Sequence, residues 1–146
     1  MSFDNMLAAT NISASGLSAE RLRMEVVANN IANAYSTRSP QGGPFRRQDV
    51  VFASVLKERL RADVPGAEQL GGVRVVRIED DSSPPNLVFN PGHPDANSDG
   101  YVAMPNVQLP LEMVNLITAS RAYEANLRVL HSFRQMAEQA LGLARG

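Results

Sequence analysis

Apolar positions recur every three to four residues at both ends of the chain and every second residue in its middle. Near the start, Phe3, Leu7, Thr10, Ala14, Leu17, Met24, Ala28 and Ile31 step alternately by four and three, with Arg21 the one break. That spacing lays a heptad-like stripe along one side of a helix over 3–34. Ser2 can cap it, and Asp4 sits in the first turn, where the helix dipole favours an acid. Gly16 is a weak point, costing about 1 kcal/mol against alanine in a helix interior. The run "NAYSTRSP", with its turn formers and Pro40, stops the helix.

A second long helix is predicted over 107–145. Leu109, Met113, Leu116, Ser120, Tyr123, Leu127, Leu130, Ala137 and Leu141 form one stripe. Ala119, Ala122, Val129, Phe133, Met136, Ala140 and Leu143 form another beside it. Pro110 fits only in the first turn, and Glu112 follows it favourably. At about 1.5 Å per residue both helices run roughly 45 to 55 Å, and matched lengths at the two chain ends imply that they pack together. Two adjacent stripes make a face too wide for one partner helix.

The middle, 35–106, holds most of the prolines and glycines. "FRRQDVVFASVL", "GGVRVVRIEDD", "NLVFN" and "GYVAMPNV" read as strands, and 62–72, "ADVPGAEQLGG", as a loop. The fold class is therefore α+β. Long N- and C-terminal helices pair as an antiparallel, coiled-coil-like hairpin around a small β-rich insert. The terminal segments 1–34 and 107–146 would form one discontinuous helical domain, with 35–106 a central module. In a monomer the β insert covers the second helix's extra face; in an oligomer a neighbouring subunit does. Pattern alone leaves both open.

The chain has 146 residues, no cysteine and a net charge of −1. Disulfides, zinc–thiolate sites and cysteine nucleophiles are excluded. So small a net charge gives no electrostatic case for nucleic acid or an anionic membrane. No run of 18 apolar residues exists, so no membrane insertion is expected. The first ten residues have neither the basic nor the apolar region of a Sec-type signal. Charge is unevenly placed. Residues 38–77 carry eight basic residues against four acidic, whereas between Arg77 and Arg121 there is no Lys or Arg, only Glu79, Asp80, Asp81, Asp95, Asp99 and Glu112 among charged residues. Such asymmetry either sets subunit register or marks a solvated loop surface.

No catalytic constellation and no cofactor pattern appears. His93 lies among turn formers and His131 beside an apolar stripe, with nothing to bring serine, histidine and acid together. Phosphate-cradling glycine patterns are absent. "GHPDANSDGY" places Asp95, Asn97, Asp99 and Gly100 at positions 1, 3, 5 and 6 of a calcium loop. Its twelfth position, where a bidentate glutamate is needed, is Asn106. The same residues make a tight turn, which is the better reading.

More unusual is "VVANNIANAYSTR". Asn29, Asn30 and Asn33 are poor helix formers yet interrupt an apolar stripe. Asparagine amides can bond across a packed interface and fix its register, or merely cap a fraying helix end. Asn126, in "SRAYEAN", raises the same choice.

These residues carry a resemblance. "ANNIANAYSTR" (28–38) and "EMVNLITASRAYEANLRVL" (112–130) resemble the paired terminal motifs of bacterial flagellar axial proteins. "GGPFRRQDVVF" (42–52) and "DDSSPPNLVFNPGHPDANSDGYVAMPNV" (80–107) are similar to the C-type proximal-rod family. The resemblance runs from Leu7 to about Leu141. It implies a structural, non-enzymatic subunit that polymerises helically through its terminal helices, transmits torque and lines an export channel. It would leave the cytoplasm through the flagellar type III apparatus without a cleaved signal and lie in the periplasmic basal body. Its partners would be copies of itself, other proximal- and distal-rod proteins, and the membrane-ring and export apparatus. The assembly residues it implies are Asn29, Asn30, Ile31, Ala32, Asn33, Glu112, Met113, Arg121, Ala122, Tyr123, Glu124 and Asn126. The central motif is Gly42, Gly43, Pro44, Arg46, His93, Asp95, Asp99, Gly100 and Tyr101. Pro110 departs from the family pattern and would let the second helix start later. The competing reading is a helical-hairpin adaptor, or a secreted type III-associated interaction protein, that binds a partner once and does not polymerise.

Overall fold

The computed structural model describes residues 3–57 and 69–144, with side chains over 9–55 and 71–143. Two long helices, α1 (Phe3–Ala32) and α2 (Leu109–Ala144), enclose four strands in sequence: β1 (Gln48–Lys57), β2 (Gln69–Asp80), β3 (Asn86–Phe89) and β4 (Tyr101–Met104). β1 pairs with β2 and β3 with β4, as two separate two-stranded sheets. The α+β class holds. The expected loop at 62–72 is corrected at its end, because 69–72 already belong to β2; the rest of that loop lies outside the described residues. So do Ser2 and the side chains of Phe3, Asp4 and Leu7.

The second helix does not start late. Leu109 and Pro110 form its first turn, where a missing N–H costs nothing. The Glu112 amide already donates to the Gln108 carbonyl at 3.0 Å.

The chain forms two compact units, each drawn from three or two separate stretches. In the unit made of 1–22, 52–76 and 119–146, Ser13, Ala19 and Ala119 are buried. Gly16 of α1 lies against Asn126 of α2, so closely that a Cβ on Gly16 would stand 2.9 Å from the Asn126 amide nitrogen. The glycine that weakens α1 thus admits a polar side chain of α2. Ser15 Oγ donates to the Ile12 carbonyl and accepts from the Val73 amide at 3.1 Å, tying β2 to α1.

The other unit, 23–51 and 77–118, is built on Val26, Val27, Ala34, Val50, Val102, Pro105 and Val107. Its largest wholly buried side chains include two polar ones, Glu112 and Asn30.

The apolar stripe read along α1 is not the side that the fold buries. Ser13, Ala19, Val26, Val27 and Asn30 are buried, while Leu17, Met24 and Ile31 are half-exposed and Ala14 and Ala28 exposed. The buried positions carry small, β-branched or polar side chains, and the larger ones stay half-exposed. On α2 the buried or half-buried side chains include Glu112, Leu116, Ala119, Tyr123, Asn126, Leu130, Phe133 and Ala137. They draw on both predicted stripes.

Candidate functional site

The residue types quoted from "ANN", "FRRQD" and "LEM" meet in one place. Asn30 lies near the end of α1, and its amide makes a two-point bond to the main chain of Gln48. Its Nδ2 donates to the Gln48 carbonyl at 2.8 Å, and its Oδ1 accepts from the Gln48 amide at 2.9 Å. The same Nδ2 donates to Glu112 Oε2 at 3.0 Å. Arg47 Nε donates to the other carboxylate oxygen, Oε1, at 2.7 Å. Asn115 Nδ2 reaches that oxygen at 3.5 Å. A buried amide and a buried acid thereby join α1, the start of β1 and the first turn of α2.

Burying a carboxylate costs several kcal/mol unless charge and hydrogen bonds replace its water. Here both oxygens are bonded and the group sits at a helix N-terminus, which favours negative charge. Arg47 is itself mostly buried, its side chain 15% exposed. Burial alone would lower its pKa; the hydrogen bonds to Glu112 and Asp49, with their charges, outweigh that and hold the guanidinium firmly protonated. Arg47 also lies 3.2 Å from Asp49 and 3.8 Å from Asp81.

Asn106 extends the network. Its Oδ1 accepts from the Arg47 amide at 2.8 Å, and the Arg47 carbonyl accepts from the Asp81 amide at 2.7 Å. Bonds from Ser83, chiefly, and the charge of Arg47 hold the Asp81 carboxyl below the usual carboxylate range.

A second cluster fixes the loop between β3 and β4. Asp95 Oδ2 accepts from Thr37 Oγ1 at 2.7 Å, and Oδ1 from Arg38 Nε at 2.6 Å. The Thr37 bond first, and Arg38 second, hold the Asp95 carboxyl below its ordinary value. His93 Nδ1 accepts from the Asp95 amide at 3.1 Å. Asn97 Oδ1 accepts from the amides of Asp99 and Tyr101 at 3.0 and 2.8 Å. The side-chain oxygens of Asp95 and Asn97 are spent on the chain's own donors, an arrangement that makes a turn. Among the described residues no three of His, Cys, Asp or Glu gather into a cation site.

Gly100 closes this turn at φ +78°, and a Cβ there would stand 2.9 Å from the Phe89 ring. Phe89 and Tyr101 face each other across the strand pair, edge to face, with centroids 5.3 Å apart.

Asn29 and Asn33 take the other role open to asparagine. Asn33 Nδ2 donates to the Asn29 carbonyl and side chain, at 2.9 and 3.0 Å, and its Oδ1 accepts from Ser36. They cap the end of α1, where Ile31 is half-buried and Ala32 exposed. On α2, Ala122, Tyr123 and Asn126 are half-buried, while Met113, Arg121 and Glu124 are exposed. Gly42, Gly43 and Pro44 form a turn after α1, beside a shallow cleft that Phe45, Arg46, Gln48 and Asp80 also line. Arg46 is exposed there. Its neighbour Arg47 enters the network. The resemblance singles out Arg46 of the pair, and the sequence reading leaves Arg47 unmarked. The signal was available, since Arg47 shares its strand face with Asp49, two residues on.

Known proteins resemble this chain at both ends and along its length. A family model described as "Flagella basal body rod protein" matches residues 11–38, and one described as "Flagellar basal body rod FlgEFG protein C-terminal" matches residues 98–143. The flagellar basal-body rod protein FlgC of Borreliella burgdorferi is 43% identical, over 97% of this chain and 99% of its own. Those of Yersinia enterocolitica and Bacillus subtilis are 45% and 40% identical, over 95% and 92% of this chain and 98% and 95% of theirs.

Proposed function

The chain belongs to the FlgC family of flagellar basal-body rod proteins, and from that premise we propose that it is a structural subunit of the proximal rod. It polymerises through its terminal helices, carries torque across the periplasm and lines the export channel. It is not an enzyme. Its neighbours are copies of itself, other rod proteins and the membrane-ring and export apparatus, which it reaches by type III export without a cleaved signal. The segments 1–34 and 107–146 serve as the assembly domain and 35–106 as the central module.

One observation carries this reading. α2 leaves Leu111, Met113, Val114 and Ile117, then Leu127, Val129, Met136, Leu141 and Leu143, exposed. So much apolar surface on one helix favours several neighbours. An adaptor that binds once needs less. No helix among the described residues is long and apolar enough to cross a membrane.

Electron microscopy of basal bodies from a strain lacking this chain, beside a swimming assay, tests the proposal. Rings without a complete rod, with motility lost, are expected. Intact basal bodies bearing normal filaments would overturn it and favour the adaptor.

A further inference from the structure

The described residues include a second kind of exposed apolar surface, on strands. In the β3–β4 pair, Val88 opposes Val102, which is buried. The opposite face carries Leu87, Phe89 and Tyr101, which are 67%, 64% and 42% exposed. Asp99, exposed beside it, has no ion pair among the described residues. No Lys or Arg occurs from 78 to 120. The face is thus apolar, and the segment that forms it supplies the unpaired Asp99 and no Lys or Arg.

β2 carries its counterpart. Val73 and Val75 are half-buried, while Arg74, Val76 and Ile78 alternate with them and are exposed. Arg74 also lacks an ion pair among the described residues, unlike Arg77, which pairs with Glu79. One chain therefore presents two exposed apolar strand faces, one rimmed by a free carboxylate and the other by a free guanidinium. Neither is covered by the described residues. Two different patches that complement each other make a head-to-tail contact, which continues from copy to copy instead of closing a dimer.

We propose that the Leu87–Phe89–Tyr101 face of one copy docks on the Arg74–Val76–Ile78 face of the next. This contact lies in the central module, apart from α1 and α2, and it deepens the rod reading on which it rests.

The chain has no cysteine, so introduced ones report alone. The full-length chain carrying both Val76→Cys and Leu87→Cys is treated with a short bismaleimide, in isolated basal bodies and as purified protein at high concentration. The double variant is expected to give a ladder of dimers, trimers and longer species, each single variant none, and a mixture of the two single variants dimers only. Monomer alone from the double variant, with that variant present in the basal bodies, overturns the proposal. So does cross-linking of Leu87→Cys to a different rod component, or a dimer from one single variant. Absence of the unmodified chain from basal bodies overturns the rod reading instead, and the ladder is then decided on the purified protein. As a second variant, Arg74→Asp is expected to abolish the ladder and Asp99→Arg to restore it in the same chain. Failure of that restoration, with circular dichroism unchanged, counts against the docking geometry.

Discussion

Asn30 Nδ2 donates to Glu112 Oε2 at 3.0 Å, and both side chains are wholly buried. They stand 82 residues apart in sequence and join the end of one terminal helix to the beginning of the other. Such a bond fixes register more than it adds stability, because sliding either helix by one turn strands an amide and a carboxylate without partners.

Glu112→Ala is expected to cost about 3–5 kcal/mol, since it leaves the Arg47 cation buried beside nothing of opposite sign on α2. Asn30→Ala is expected to cost about 1–3 kcal/mol, through the unsatisfied main chain of Gln48. Urea unfolding of the purified variants measures both. A Glu112→Ala loss no larger than that of an exposed control such as Glu124→Ala would refute the account of the network.

Gly16 and Asn126 should be coupled. Alanine in place of glycine inside a helix gains about 1 kcal/mol, but here the new Cβ displaces the Asn126 amide. Gly16→Ala is therefore expected to gain about 1 kcal/mol in the Asn126→Ala background and less in the native one. A double-mutant cycle reads the difference, and equal effects in the two backgrounds would remove the coupling.

Gly100→Ala and Gly43→Ala separate backbone strain from collision. Both residues have positive φ, +78° and +75°, but only Gly100 has the Phe89 ring where a Cβ would go. A left-handed conformation costs a non-glycine residue roughly 1–2 kcal/mol. Gly43→Ala should lose about that, and Gly100→Ala more, with a changed near-ultraviolet signal from the Phe89–Tyr101 pair. Thermal melts and near-ultraviolet circular dichroism test this together.

The ion pairs of the β3–β4 loop make an acid-sensitive element. Asp95 is held below its ordinary pKa of 3.8 by Thr37 and Arg38, and a depressed folded value favours the charged form in the native state. Its contribution is complete above the unfolded pKa and is lost as pH falls through the folded one. Stability is expected to fall below about pH 4, and Asp95→Asn to lower stability at neutral pH while flattening that acid limb. Denaturation midpoints across pH 2–7 give the answer; parallel curves for the two proteins would exclude Asp95 as a source.

Tyr123 is half-buried on α2. Tyr123→Ala removes apolar area worth about 2 kcal/mol and is expected to impair assembly. Unchanged swimming, with the variant present in basal bodies, would take Tyr123 out of the assembly residues.

The long helices and four strands were legible because periodicity and punctuation are local properties. Pro40 and Pro110 mark helix ends by what a proline ring forbids, and "SDGY" marks a turn by what Gly100 alone can adopt. The failures were of another kind. Hydrophobicity along α1 pointed to Leu17, Met24 and Ile31, whereas the chain buries Ser13, Ala19 and Asn30. Burial depends on how near the other helix comes, and only the partner's shape sets that.

The sequence by itself determined where the chain is helical, where it turns, that it has no thiol chemistry, and which motifs it shares with rod proteins. The tertiary structure decided what those motifs are for within the chain. It separated Asn30, which crosses to Glu112, from Asn29 and Asn33, which cap their own helix, and Arg47 from Arg46. It turned Asp95 of the calcium-like string onto Thr37 and Arg38. The physical reason is common to all of these. A side chain's hydrogen-bonding capacity is written in its type, but its partner is whatever a distant segment brings within about 3 Å.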